Sequence, residues 1–206
     1  MRPEYVELRR KKMIARRQDT YDWIDALVSA LLTLVLLFVF LARVVGVEGT
    51  SMINTLQHGD RLLISNLFYT PKQGDIVVLR KESFSEDNII NRVIATEDQT
   101  IRIDFETGEV FVDDELLDEP YVNLEVLPMR SLDFKLMADH ETGELKVDKG
   151  CIFVMGDNRN GSQDSRDESI GCVDTRCVMG RVLLLVFPGR NVDTQEREFS
   201  RLGQVA

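Results

Sequence analysis

Two different spacings of apolar residues divide the chain. Near the N-terminus, residues 26–42 read ALVSALLTLVLLFVFLA and contain no charged residue. Beyond residue 60 the apolar runs become short, rich in β-branched residues and bounded by turn-forming residues, as is typical of β-strands. This pattern predicts strands at residues 61–65, 75–79, 89–95, 100–103, 109–112, 144–147, 151–155 and 180–187. The second part of the chain is therefore predicted to be mainly β.

Two connections in the β region have patterns of their own. Glu106, Thr107 and Gly108 predict a hairpin turn between the strands at 100–103 and 109–112. Residues 116–137 alternate more weakly, so we expect them to leave the main sheet. The region contains no internal repeat and no pattern of a long amphipathic helix.

The long apolar stretch predicts a transmembrane helix over residues 23–46. Tyr21 and Trp23 before it suit the headgroup level of a bilayer. A cleaved secretory signal is the alternative, but its apolar region normally has about 7–15 residues and a shorter basic segment before it. We therefore expect a retained anchor between a cytoplasmic tail, residues 1–22, and an extracytoplasmic domain, residues 47–206.

The charge differs on the two sides of this stretch. The whole chain carries a net charge of −10, whereas its first 23 residues hold seven basic and four acidic residues and carry +3. Subtracting +3 from −10 leaves −13 for the remainder. The basic segment predicts that the N-terminus stays in the cytoplasm. The acidic remainder argues against a nucleic-acid partner, because phosphate binding needs a basic surface.

Three cysteines, an odd number, lie in the β region: Cys151, Cys172 and Cys177. On the outer side of a membrane Cys172 and Cys177 could form a disulfide, and the sequence leaves this open. The cysteine spacing and the lack of a nearby histidine argue against a zinc site. We expect the cysteines to be structural, with no metal and no cofactor.

The segment after the apolar stretch is the first candidate for catalysis. Residues 47–60 read VEGTSMINTLQHGD and place Gly49 and Thr50 directly before Ser51. Such a segment can present a serine hydroxyl while nearby backbone N–H groups converge on an oxyanion. A serine beside glycine is more often only a turn residue, so this segment needs support from a second one.

That support comes from residues 156–173, GDNRNGSQDSRDESIGCV, which lie tightly between predicted strands. A solvated polar loop is the alternative for such a stretch. Its paired charges could instead form a buried network that braces a loop against the sheet. The residues of this predicted network are Asp157, Asn158, Arg159, Asp164 and Arg166.

Together these segments resemble type I signal peptidases. VEGTSMINTL is similar to the family box V-x-G-x-S-M-x-P-T-L, and GDNRNGSQDSR matches G-D-N-R-x-x-S-x-D-S-R. GDRLLIS and GDIVVL look like the intervening strands, and INRVIA is similar to I-K-R-V-I-G. The resemblance covers roughly residues 23–188, in the compact order found in Gram-positive bacteria. It implies a membrane-anchored Ser–Lys endopeptidase that removes signal peptides from secreted preproteins, typically after small residues in an Ala-X-Ala pattern.

The resemblance also implies a fold, a location and residue roles. We expect a signal peptidase I-like β-fold domain behind one transmembrane helix, in the bacterial cell membrane. Ser51 would be the nucleophile, its N–H and that of Gly49 the oxyanion hole, and Ser162 would orient the base. Structural support would come from the network of residues 157–166 named above. The pockets for small substrate side chains would be lined by Val47, Met52, Leu56 and Ile90.

One position departs from the family where the chemistry depends on it. The general-base lysine before Arg-Val-Ile is Asn91 here. A lysine becomes a base when burial lowers its pKa, whereas a carboxamide has no useful basicity. Losing one member of such a unit costs on the order of 10⁴–10⁶ in turnover. Three replacements are weak candidates: Lys81 would break the strand register, and His58 and His140 read as surface residues.

Two further departures accompany Asn91. Asn54 replaces the family proline, and residues 95–99, ATEDQ, replace G-x-P-G-D. The alternative function is therefore an impaired paralogue that binds preproteins or assists assembly of pili or surface proteins. In either case the expected partners are preprotein signal peptides and the lipid bilayer, with the secretion machinery or an intact sister peptidase as further candidates. A self-cleaving Ser–Lys repressor fits poorly, because a basic tail and an apolar span replace its DNA-binding domain.

Overall fold

The chain divides into two units, Met1–Leu41 and Ala42–Ala206. The computed structural model describes residues 20–35, 43–80, 88–122, 128–130, 133–191, 194–203 and 205. In the first unit, residues 20–35 form a helix, α1. The remainder of the predicted tail, residues 1–19, and residues 36–42 of the predicted span lie outside the described residues. Within the described ranges, no helix has both the length and the apolar character needed to cross a bilayer.

The predicted boundary of the span at residue 46 is wrong. Strand β1, Arg43–Gly46, pairs antiparallel with β2, Arg61–Ser65, so that Arg43 lies opposite Ile64 and Gly46 opposite Arg61. These four residues therefore belong to the sheet of the second unit. Apolar β-branched residues suit both a span and a strand, which is why the hydrophobic pattern extended the predicted span too far.

The main sheet has seven strands in the order β1-β2-β11-β3-β4-β9-β10. All of its pairings are antiparallel. Strands β3 and β4 lie in the middle and are buried almost throughout, because both faces of the sheet are covered by apolar residues. The remaining bounds are β3 Ile76–Leu79, β4 Ile89–Ala95, β9 Cys151–Met155, β10 Val173–Asp174 and β11 Val178–Phe187.

A second sheet has four strands in the order β7-β6-β5-β8. Its strands are β5 Thr100–Ile103, β6 Val110–Val112, β7 Glu115–Leu116 and β8 Glu144–Lys146. β5 and β6 form the predicted hairpin, and Asp104 accepts hydrogen bonds from the N–H groups of Glu106 and Thr107 in its turn. A short helix, α2, covers Phe134–Met137 in the segment predicted to leave the main sheet, of which residues 123–127 and 131–132 lie outside the description.

The mainly β prediction is confirmed, and all eight predicted strands are present within two residues of their predicted bounds. The three strands that the pattern missed are β1, β7 and β10, each of which has four residues or fewer. Each also lies at the edge of its sheet. β7 and β10 have only two residues each, too few to show alternation, whereas β1 follows the apolar stretch without a break and was read as part of it.

Apolar side chains form separate clusters on the sheets. One cluster joins the second sheet to α2 and β9, where Phe134 makes edge-to-face contacts with Phe105 and Phe153 at 5.8 and 5.9 Å. A second cluster, which we call the pocket cluster, contains Val47, Met52, Leu56, Leu62, Ile64, Ile76, Val78, Ile90, Val182 and Leu185. A third contains Val77, Leu79, Val93, Ile152, Val154, Ile170, Val173 and Val178. The pocket cluster packs the segment after β1 against the main sheet.

Candidate active site

The serine loop, residues 49–56, is a compact turn held down by its own apolar residues. The N–H of Ile53 donates to the carbonyl of Thr50 at 3.2 Å, and that of Leu56 donates to the carbonyl of Met52 at 2.7 Å. Met52 and Leu56 are each 1% exposed. Gly49 begins the loop with a φ of +89°, a left-handed conformation that favours glycine. The loop is therefore fixed around Ser51, which is half-buried.

The hydroxyl of Ser51 lies against β4. Its Oγ is 3.5 Å from the carbonyl oxygen of Ile90, at the long limit of a hydrogen bond. Ile90 is the residue directly before Asn91. The fold therefore brings the predicted nucleophile to the strand that carries the predicted base position, although the two residues are forty positions apart in the chain.

Asn91 is completely buried, with 0% of its surface exposed. Neither its Nδ2 nor its Oδ1 has a hydrogen-bond partner among the described residues. Asn91 is paired with Val77 of β3, and strand alternation puts its side chain on the same sheet face as that of Val93. An unpaired buried amide costs about 1–3 kcal/mol. This position thus holds an unsatisfied carboxamide and no proton acceptor of useful basicity.

Ser162 lies close to the serine loop across Gly156. A Cβ atom at Gly156 would be 2.3 Å from the Oγ of Ser162 and 2.5 Å from the carbonyl oxygen of Ser51. Only a glycine permits this approach. Ser162 is 7% exposed, and its Oγ, like the amide of Asn91, has no hydrogen-bond partner within the described part of the chain.

Asp157 connects the serine loop to β4. Its Oδ1 accepts a hydrogen bond from Nε of Arg92 at 2.9 Å, and its Oδ2 accepts one from Nη2 of Arg92 at 2.8 Å. The hydroxyl of Thr55 donates to the same Oδ2. The guanidinium of Arg92 also lies 3.7 Å from the centre of the Tyr121 ring. Burial, and next the charge of Glu119, raise the pKa of Tyr121, so the phenol stays neutral beside this ion pair.

Asn158 holds the backbone of the serine loop directly. Its N–H donates to the carbonyl of Ser51 at 2.9 Å, and its Nδ2 donates to the carbonyl of Thr50 at 3.0 Å. Arg159 turns the other way, where it donates to the carbonyl of Gly156 at 3.2 Å and pairs with Glu119. Asn158 therefore fixes the backbone at Ser51, whereas Arg159 fixes the turn behind it.

Asp164 and Arg166 form a fully buried ion pair with two hydrogen bonds, both of 2.8 Å. Asp164 also accepts the N–H of Gly156 at 3.0 Å, and Arg166 donates to the carbonyl of Arg159 at 2.6 Å. The pair thus ties the two ends of the 156–166 turn together. Such a buried pair tolerates no loss of one partner, because the other charge would be left uncompensated.

The four residues predicted to line the substrate pockets meet in the pocket cluster. Val47 is 4%, Met52 1%, Leu56 1% and Ile90 5% exposed. Val47 lies just before the serine loop, Met52 and Leu56 lie within it, and Ile90 belongs to β4. The loop that carries Ser51 therefore packs on an apolar core.

His58 has a role that the sequence prediction missed. It is exposed, as expected for a surface histidine, but its Nδ1 accepts a hydrogen bond from the N–H of Gly49 at 3.2 Å. The predicted oxyanion donor is thus already engaged. His140 is exposed in a turn before β8, and Lys81 lies outside the described residues. No sequence signal marks the contact between His58 and Gly49.

The cysteines carry free thiols. Burial raises the pKa of Cys172, and burial followed by the charge of Asp174 raises that of Cys151. A search of the described residues finds no group of three histidine, cysteine or acidic side chains that could hold a metal ion.

Comparison with known proteins gives consistent matches. The family model described as signal peptidase, peptidase S26, matches residues 20–187. Signal peptidase I of Bacillus licheniformis is 31% identical over 183 residues, which cover 86% of this chain and 94% of that protein. Signal peptidase I T of Bacillus subtilis (strain 168) is 32% identical over 182 residues, with 86% and 91% covered. A crystal structure of a signal peptidase I from Enterococcus faecalis V583 aligns with a TM-score of 0.43 and 24% identity, over 55% of this chain and 97% of that one.

Proposed function

Because this chain belongs to the signal peptidase, peptidase S26 family, we propose that it is a signal peptidase I that acts on the signal peptides of secreted preproteins through Ser51. The observation that carries the proposal is the 3.5 Å contact between the Oγ of Ser51 and the carbonyl of Ile90. It supports the proposal because a fixed serine hydroxyl, in a loop that packs on the pocket cluster, lies against the strand that carries the proposed base position. We propose further that Asn91 at that position slows turnover.

The reaction begins with attack of the Ser51 Oγ on the carbonyl carbon of the scissile peptide bond. The hydroxyl proton must leave as the C–O bond forms, and it is finally delivered to the leaving amine. The oxyanion would be stabilised by the N–H groups of Ser51 and Gly49. Since the N–H of Gly49 donates to His58 in the free protein, the substrate must displace the imidazole to use it. Water then hydrolyses the acyl-enzyme.

Asn91 leaves the proton of Ser51 without a side-chain base at the position that the family resemblance assigns to it. Binding and oxyanion stabilisation do not need that base, so they would survive. Relative to an enzyme with lysine at this position, turnover would fall by on the order of 10⁴–10⁶. We therefore expect substrate binding of ordinary strength with slow cleavage.

The pocket cluster supports small apolar side chains as the recognised part of the substrate. Val47, Met52, Leu56 and Ile90 are apolar and at most 5% exposed, so a charged substrate side chain placed against them would lose its hydration without a partner. We therefore propose an Ala-X-Ala sequence, with small residues at both ends, as the recognised part.

We also propose that residues 23–42 anchor the protein in the bacterial cell membrane, with the tail inside and the Ala42–Ala206 unit outside. The support is the run of seventeen uncharged residues at 26–42 and the basic segment before it. The substrate would then meet the site at the outer membrane surface, beside the bilayer and the secretion machinery.

The alternative is a binding factor that keeps the pocket but does not cleave, with an intact sister peptidase as its partner. It rests on Asn91 at the lysine position alone, and the matched relatives, which are named signal peptidase I, do not favour it. The two functions differ in their dependence on Ser51, because only an enzyme needs the hydroxyl.

Cleavage of a preprotein with an Ala-X-Ala site by the detergent-solubilised protein tests the proposal, with Ser51→Ala as the matched control. Slow cleavage by the unaltered chain and none by Ser51→Ala is the expected result. Binding without cleavage in both proteins would support the binding factor. If the preprotein is neither bound nor cleaved by a folded chain, the proposal is wrong.

A further inference from the structure

The C-terminal segment, residues 194–203, returns to the main sheet after β11. Leu185 and Gly203 form a bridge with N–H to carbonyl distances of 2.7 and 3.2 Å. Phe199 packs edge-to-face on Phe187, with ring centres 6.0 Å apart. The segment is therefore attached to β11, and its last turn, Phe199–Arg201, lies near the serine loop.

Arg201 reaches from this turn to the serine loop. Its Nη1 donates to Oδ1 of Asp60 at 3.1 Å, and its Nη2 donates to Oδ2 of Asp60 at 2.7 Å. The same Nη2 donates to the carbonyl of Thr55 at 3.2 Å. Only 16% of the Arg201 side chain is exposed. One guanidinium therefore binds both the loop and the residue that closes it.

Asp60 is a fully buried carboxylate that organises the end of the loop. Its Oδ2 accepts the N–H of Gln57 at 2.8 Å, and its Oδ1 accepts the N–H of Gly189 at 2.6 Å. Its backbone carbonyl accepts a hydrogen bond from the N–H of Val47, a residue of the pocket cluster that precedes the loop. A buried carboxylate needs a positive partner, and Arg201 supplies it.

Thr55 is held from two sides. Its carbonyl binds Arg201, and its hydroxyl donates to Asp157, which is paired with Arg92 of β4. A continuous path of hydrogen bonds thus runs from the C-terminal segment through the serine loop to the strand of Asn91. Farther along the chain, Val205 packs against the pocket cluster, so the segment also supports the apolar surface.

We propose that Arg201 is a positioning residue, which sets the serine loop and its pocket for the substrate by binding Asp60 and Thr55 together. The proposal rests on the proposed function for what the loop binds. It differs from that function in its residues, because Arg201 lies beyond residues 20–187, the part matched by the family. Arg201 does not contact the reacting atoms, and its effect passes through Thr55 and Asp60.

The test is amide hydrogen exchange of the unliganded protein, with and without Arg201→Gln. The reporters are the N–H groups of Thr55, Leu56 and Asp60, which bond within the loop. Loss of a buried ion pair costs several kcal/mol, so exchange in the loop should rise at least tenfold. Exchange in the hairpin turn at residues 104–108 should stay within a factor of two or three, because local opening of that turn leaves the Arg201 contacts intact.

Two further variants separate positioning from general stability. Arg197→Gln is the matched control, since Arg197 lies in the same segment but donates to the carbonyl of Pro188 and packs on Phe187; it should leave loop exchange unchanged. Arg201→Lys keeps the charge beside Asp60 but lacks the forked geometry, so it should restore loop protection in part. It also serves if Arg201→Gln does not fold.

The second reading is the affinity for an uncleaved, fluorescently labelled signal peptide with an Ala-X-Ala site. Arg201→Gln should weaken binding at least tenfold, and Arg197→Gln should not. If the unaltered protein does not bind the peptide, the proposed function fails while the exchange data still decide the role of Arg201. Unchanged loop exchange in Arg201→Gln, or an equal rise in the loop and in the hairpin turn at residues 104–108, would overturn the proposal.

Discussion

The hydroxyl of Ser51 donates a hydrogen bond to the backbone carbonyl of Ile90, one residue before the buried amide of Asn91. The contact is long, at 3.5 Å, and a carbonyl cannot take up the proton. The Ser51 hydroxyl is thus held against β4, and this contact does not activate it. A change of one side chain in β4 can therefore alter the chemistry without moving the serine loop.

Asn91→Lys should increase Ser51-dependent cleavage of an Ala-X-Ala preprotein by at least about 10³, because an amine would then lie at the base position. The rate should rise with pH as the ammonium loses its proton, and burial should bring that rise below the usual pKa of lysine. The measurement is the pH profile of single-turnover cleavage. The double variant Asn91→Lys with Ser51→Ala should be inactive, and a folded Asn91→Lys protein with no gain would contradict the assignment.

Asn91→Leu should stabilise the protein by about 1–3 kcal/mol. The substitution removes two buried polar atoms that have no partner and replaces them with an apolar side chain of similar size. Urea unfolding measures the change in the free energy of unfolding. Asn88→Leu, at an exposed position one residue before β4, is the control and should change stability by less than about 0.5 kcal/mol. Destabilisation by Asn91→Leu would mean that the amide is satisfied.

Asn54→Pro should damage the serine loop, although it restores the family residue. Asn54 has a φ of +95°, whereas proline is fixed near −65°. The loop must therefore move or strain, and we expect a loss of about 1–3 kcal/mol in stability together with weaker signal-peptide binding. Asn54→Gly, which accepts a positive φ without cost, should bind the peptide normally. Equal thermal midpoints for the two variants would show that the loop conformation is not fixed at this residue.

Asp157→Asn should destabilise the protein by about 3–5 kcal/mol, because the buried guanidinium of Arg92 would lose its charged partner. Chemical unfolding is the measurement. The matched control is Asp98→Asn, since Asp98 faces Lys146 at 3.6 Å with both side chains more than half exposed. An exposed pair of this kind contributes less than about 1 kcal/mol. A similar loss from both substitutions would contradict the structural role of Asp157.

The thiols of Cys151 and Cys172 should react slowly with iodoacetamide near neutral pH. A raised pKa means a smaller thiolate fraction at a given pH, and only the thiolate reacts; the half-maximal rate should shift to higher pH. Burial is the main cause at both residues, and Asp174 adds to it at Cys151. Asp174→Asn should therefore speed alkylation of Cys151 and leave Cys172 unchanged, as peptide mass spectrometry can show. Equal acceleration at both would indicate a general opening.

The sequence predicts most of this fold because most strands show alternation or an apolar β-branched run between turn-forming residues. β2, β4, β5 and β9 have the bounds that the pattern predicts. β1 was assigned to the anchor, because only its partner β2 shows that it is a strand.

The candidate site also has a part that the sequence predicts and a part that it does not. Local boxes in the sequence indicate Ser51, Asn91 and the turn at residues 156–166. The contact of His58 with Gly49 and that of Arg201 with Asp60 have no such signal. Arg201 and Asp60 lie 141 residues apart, and an arginine in a polar C-terminal stretch looks like any solvated charge. Such contacts follow from the tertiary fold alone.

At Gly156 the site has no room for an added side-chain atom. The serine loop and the 156–166 turn meet where this residue has only a hydrogen atom, and a single methyl group would push apart Ser162 and the backbone of Ser51. Even alanine, the smallest chiral replacement, would clash with both. Ser51 and Ser162 can therefore lie this close together only because residue 156 has no Cβ atom. Shortening a side chain elsewhere in the site should have a graded effect. Adding one carbon atom at Gly156 would separate the serine loop from the 156–166 turn.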